Sequence, residues 1–133
     1  MRVVVIGDIG AAGDVVHIGD EAMFEEFVAQ ARMRSVEVVG ISADPAETSA
    51  RHGIVAVPRI GFDFRGAGAR AAMDERMSLV LAAVENPGSL EPTDPALAVI
   101  AAIRGADALA IAGGGNLATN WPMHIWERAT LLP

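Results

Sequence analysis

The chain contains no cysteine, no tyrosine and no lysine; all 10 of its basic residues are arginine. Without cysteine there is no disulfide, no thiolate nucleophile and no cysteine-based zinc site. Without lysine there is no P-loop, because that motif needs a lysine to reach the nucleotide phosphates. The arginines are scattered along 133 residues whose net charge is -7, so no basic stripe faces a nucleic acid backbone and no nucleic acid partner is expected. Long apolar runs are missing too. The run Ala96–Ile103 is broken by Arg104 and Asp107, far short of the ~20 residues that a membrane helix needs. Asp8 interrupts the first apolar run after a handful of positions, so the start of the chain does not read as a secretory signal. The expectation is a soluble, cytoplasmic protein without a membrane span.

What is present is aliphatic. Hydrophobic residues make up 52% of the chain, many of them alanine, against 5% aromatic. Such a composition suits closely packed helices on a sheet, and the length suits one domain, residues 1–133. Val3–Ile6 is a β-branched run ended by Gly7-Asp8, the form of a strand buried on both faces. Further strands are expected at Val36–Ser42, Ile54–Val57 and Ala108–Ala112. Helices are expected from about Glu21 to Arg34, after Asp44-Pro45, over Ala69–Val84, after Asp94-Pro95 and from Pro122. In both Asp-Pro pairs the aspartate suits the N-cap and the proline the first turn. The first helix presents Met23, Phe24, Phe27, Val28 and Ala31 on one face. Arg59–Gly68, with three glycines and two phenylalanines, reads as an irregular surface loop.

Strands alternating with helices imply an α/β fold: a Rossmann-like three-layer sandwich around a parallel four-stranded sheet of order 3-2-1-4. In such a sheet, ligands bind beyond the carboxyl ends of the strands, where the strand order reverses. The loops Gly7–Gly19 and Gly113–Asn116 leave the first and fourth strands at that point. Both are glycine-rich, which lets backbone N–H groups approach a ligand. The candidate site therefore comprises His17, Gly19, Asp20 and Glu21 on one side and Gly113, Gly114, Gly115 and Asn116 on the other.

The chemistry of that site stays open on residues alone. Gly7, Gly10 and Gly13 are spaced unlike a dinucleotide fingerprint. Asp44 stands where a ribose-binding acid would, yet the recurrence of Asp-Pro at Asp94-Pro95 favours a cap. Asp20 and Glu21 can complement the helix N-terminus or face a ligand. Asp14, His17, Asp20 and Glu21 match no metal-site spacing, so no metal is expected. His52 reads as a helix C-terminal cap and His124 as packing beside Trp121 and Trp126. No serine sits in a nucleophile elbow, and no carboxylate pair suggests glycoside hydrolysis.

Two segments carry a resemblance: His17-Ile18-Gly19-Asp20-Glu21-Ala22, and Asp107-Ala108-Leu109-Ala110-Ile111-Ala112-Gly113-Gly114-Gly115-Asn116-Leu117. With ISADP and HGIVAVPR between them, the chain resembles the polysaccharide pyruvyl transferase family along nearly its whole length. His17 departs from the asparagine usual there, and the loop 10–16 is longer. The resemblance implies the N-terminal Rossmann-like half of a two-domain, GT-B-like transferase. Such an enzyme moves pyruvyl from phosphoenolpyruvate to hydroxyls of a glycan precursor, with no tightly bound cofactor. It implies catalytic roles for Asp20 and Glu21, and substrate contacts from His17, Gly19, Gly113, Gly114, Gly115 and Asn116. The partners implied are the sugar substrate and a C-terminal domain absent from this chain; separately, the unpaired edge of the fourth strand offers a place for a second copy in a homodimer. The alternatives are a non-catalytic nucleotide or sugar-phosphate binding module, and a half-structure that assembles with a partner domain.

Overall fold

A computed structural model describes residues 1–10, 17–62, 64–113 and 122–131. Its strands are β1 (Arg2–Ile6), β2 (Glu37–Ser42), β3 (Val55–Pro58) and β4 (Ala108–Ile111). They form one parallel sheet of order β3-β2-β1-β4, the order expected of a Rossmann-like α/β fold. The helices are α1 (Ile18–Met33), α2 (Pro45–His52), α3 (Ala69–Glu85), α4 (Pro95–Arg104) and α5 (Pro122–Thr130). Among the described residues, no helix is long and apolar enough to cross a membrane.

The register explains why β1 reads as an unbroken apolar run. Val3 pairs with Val38 and Val4 with Val39, so like faces align across the strands. Val3, Val5 and Val38 pack with Ile9 under Phe24, Val28 and Ala31 of α1. Val4, Ile6, Val39 and Ile41 face the other way, against Met73 and Val80 of α3 and Val99 and Ile100 of α4. Both faces are covered, and full burial of each such side chain contributes roughly 1.5–3 kcal/mol. Gly40 sits under the Phe24 ring, where a Cβ would stand 3.1 Å from Cζ.

Both Asp-Pro pairs are caps. Asp44 accepts the Glu47 N–H at 3.1 Å, and Asp94 accepts the Ala96 N–H at 2.8 Å. The α1 helix begins at Ile18 rather than Glu21, which places Asp20 and Glu21 inside its first turn. Its buried stripe is Phe24, Val28 and Ala31, while Met23 is 46% exposed. The segment after β3 is irregular, and its residues 65–68 are exposed as a surface loop would be, but its first half turns inward. Ile60 and Phe62 are plugged into the core beside α3, and Arg76 donates to the Ile60 carbonyl. The arginine satisfies a backbone carbonyl that the sheet no longer pairs, which helps irregular backbone to lie beside buried side chains.

The fold brings the carboxyl ends of β1 and β4 side by side. Ile6 pairs with Ile111, and the Ala112 N–H donates to the Ile6 carbonyl at 2.8 Å. A Cβ on Gly7 would lie 3.0 Å from the Ala112 carbonyl oxygen, so the two loops start in close approach.

Candidate functional site at the carboxyl end of the sheet

Asp8 leaves β1 directly into this corner and gathers the polar side chains around it. Its Oδ1 accepts from the Arg59 guanidinium, which arrives from the end of β3. Its Oδ2 lies 3.4 Å from His17 Nε2 and 4.0 Å from His124 Nε2. Asp20 joins them, so that donor atoms of Asp8, His17 and Asp20 all lie within 4.8 Å of one another. His17 is exposed, and Asp8 and Asp20 are half-buried. The group is thus open to solvent on one side and held by the fold on the other.

The α5 helix closes the other side. Arg128 is almost fully buried, donating to Glu127 Oε2 at 2.5 Å and to His124 Nδ1 at 2.8 Å. Desolvation pulls its pKa below that of an ordinary arginine, while the Glu127 carboxylate pulls the other way. An arginine has only donors to offer, so His124 Nδ1 must be an acceptor and the ring's proton must sit on Nε2. Arg128 therefore fixes His124 as an N–H donor on the side of Asp8. His124 is part of the site and not merely packing beside Trp126.

Glu21 faces inward, away from this group. Its Oε1 accepts the Gly10 N–H at 2.7 Å, and its Oε2 lies 3.1 Å from His52 Nε2. Both side chains are buried, and the His52 ring meets Phe24 edge-on at 5.0 Å. With Glu21 ionised, His52 Nε2 carries the hydrogen. His52 therefore does not cap its own helix. That end is closed by Gly53, at φ +60, and by Arg32 of α1, which donates to the His52 and Gly53 carbonyls. Glu21 ties the loop after β1 to α1 and α2.

Gly10 shows how tightly that loop is held. At φ +82, its missing Cβ would lie 2.2 Å from Ser42 Oγ and 2.6 Å from the Asp44 nitrogen. Ser42 in turn bonds Thr48 Oγ1 at 2.7 Å and receives the Asp44 N–H at 3.0 Å. Asp8 thus stands on a loop stapled to the end of β2.

Of the residues expected at the site, His17, Gly19 and Asp20 lie at its open mouth, Glu21 lies beneath it, and Gly113 follows β4. Gly114, Gly115 and Asn116 fall outside the described residues, as does Asp14. Asp8, Arg59, His124 and Arg128 were not expected from the sequence. The available signal was position: Asp8 and Arg59 each follow a strand end at the switch-point side of the sheet.

No protein-family model matches the chain, and neither the curated proteins nor the solved structures return a match. The fold and the site thus define an α/β protein with a polar cluster at its strand ends, and any narrower assignment rests on the residues themselves.

Proposed function

We propose that the chain is the N-terminal wall of a pyruvyl transfer cleft, acting on phosphoenolpyruvate and the hydroxyls of a sugar in a glycan precursor. The observation that carries this reading is the convergence of Asp8, His17 and Asp20 beside the adjoining carboxyl ends of β1 and β4. The resemblance of the GDEA and GGGNL segments to the pyruvyl transferase family adds the choice of chemistry.

In this reaction one sugar hydroxyl adds its oxygen to C2 of the enol while C3 takes up a proton. A second hydroxyl oxygen then replaces the phosphate, which leaves with the C2–O electron pair, giving a ketal and inorganic phosphate. The hydroxyl protons need an acceptor and the hydroxyl oxygens need fixed positions. Asp20 and His17, at the open mouth, are assigned to the acceptor hydroxyls. Glu21 is assigned to positioning, because both of its oxygens already hold Gly10 and His52. The donor's phosphate and carboxylate call for cations. Arg59 keeps 32% of its side chain exposed beside Asp8, and the remaining charge is assigned to a second domain.

The test is Asp20→Asn in the full-length protein, assayed by NMR for the ketal methyl signal and by phosphate release. Transfer falls by at least about 100-fold with an unchanged melting curve if the carboxylate serves the acceptor. Rates near those of the parent protein would reduce Asp20 to a helix-end charge and end this reading.

A further inference from the structure

The trio Asp8, His17 and Asp20 has a geometry that the sequence spacing hid, because Asp8 lies on a different element from the other two. We propose that Asp8, His17 and Asp20 form a binding site for a borderline divalent cation of the zinc or cobalt type.

Three observations carry this. First, the donor set is one imidazole nitrogen and two carboxylates, a mixture suited to such ions and less to calcium or magnesium, which take oxygen alone. Second, the 3.4 Å between Asp8 Oδ2 and His17 Nε2 is a ligand-to-ligand separation. Bonds of about 2.0–2.2 Å at tetrahedral angles put neighbouring donors about 3.3–3.6 Å apart. Third, Asp8 is already oriented from outside. Arg59 occupies Oδ1 and leaves Oδ2 facing His17, the arrangement in which an outer partner fixes a ligating carboxylate.

His124 belongs to the outer ring and not to the ligands. Its Nε2 carries the proton that Arg128 imposes, so it has no lone pair to offer on that side. Glu21 is excluded by its bonds to Gly10 and His52. Three protein donors leave at least one position for water or a substrate oxygen, the pattern of catalytic rather than structural sites. A sugar hydroxyl bound there would be acidified by the ion, and the Asp20 carboxylate oxygen not bound to the ion would accept its proton. The site does not depend on the transfer reading, since cation binding is measured without any substrate and either can fail alone.

The experiment titrates the metal-free protein with zinc chloride by calorimetry and with cobalt(II) by visible absorption. One equivalent is expected to bind, with cobalt bands of a four- or five-coordinate site. His17→Ala, on an exposed side chain, and Asp20→Asn should each weaken binding at least tenfold, and Arg59→Gln should weaken it by releasing Asp8. Glu26→Gln, on the exposed side of α1, should leave binding unchanged, and circular dichroism should match the parent for every variant. Absence of binding at millimolar metal would overturn the proposal. So would binding that persists undiminished in both His17→Ala and Asp20→Asn.

Discussion

Two aspartate–arginine pairs stand at the carboxyl end of the same sheet, and they serve different ends. Arg76 grips both oxygens of Asp94, at 2.6 and 2.7 Å, while Asp94 also caps α4 and Arg76 also holds the Ile60 carbonyl. Every strong valence of that pair is spent on structure. Arg59 meets only Oδ1 of Asp8, and Oδ2 is left among His17, His124 and Asp20. The first pair joins elements of the fold, and the second holds a carboxylate ready for something else. A charge pair is informative about function when one of its oxygens remains uncommitted and other titratable groups surround it.

The sharpest way to break this contrast is to unlock the loop that carries Asp8. Gly10→Ala forces a side chain into left-handed backbone and onto Ser42 Oγ, and should cost about 4 kcal/mol in denaturant unfolding. A cost below about 1 kcal/mol would mean the loop is not held. Next comes Asp94→Ala, which removes a cap and strands a largely buried arginine. It should cost about 3 kcal/mol by the same measurement. His52→Ala should cost about 2 kcal/mol by leaving the buried Glu21 carboxylate with one partner fewer. At the small end, Asp8→Asn should change stability by less than about 1 kcal/mol, since its pair with Arg59 is partly exposed. If Asp8→Asn proved as costly as Asp94→Ala, the contrast between the pairs would disappear.

The pH dependence tests the Asp94 pair in another way. The hydrogen bonds from Arg76 hold the Asp94 pKa below the usual carboxylate value. A depressed folded pKa means that the stabilisation is complete above the unfolded pKa, about 4, and is lost as pH falls through the folded value. Stability measured from pH 5 downward should therefore fall less steeply in Asp94→Asn than in the parent. Equal slopes would show that Asp94 is not the group responsible.

Much of the fold was legible because its signals are local. The β-branched run of β1 and the Asp-Pro pairs act within a few residues, and the strand order follows from their alternation with helices. The burial of Ile60 and Phe62 was not legible, because glycines mask the regular spacing that would have shown it. The candidate site was half legible. His17, Gly19, Asp20 and Gly113 lie where the topology puts them, but Asp8 with Arg59 spans 51 positions and Glu21 with His52 spans 31. No local pattern encodes such pairs, since they exist only after β3, β2 and β1 are laid side by side. The adjacent acids looked alike in the sequence. A single helical step of about 100° sends Asp20 to the mouth and Glu21 into the interior.

The central claim is that ligands bind at the Asp8 corner. The direct test is a titration of the isotope-labelled protein with phosphoenolpyruvate and a sugar acceptor, followed through backbone amide shifts. The account predicts shifts at Gly7, Asp8, His17, Asp20 and Gly113, with Ile60, Arg76 and Asp94 unmoved. Shifts confined to the Asp94 corner, or none around Asp8 at saturating ligand, would contradict it.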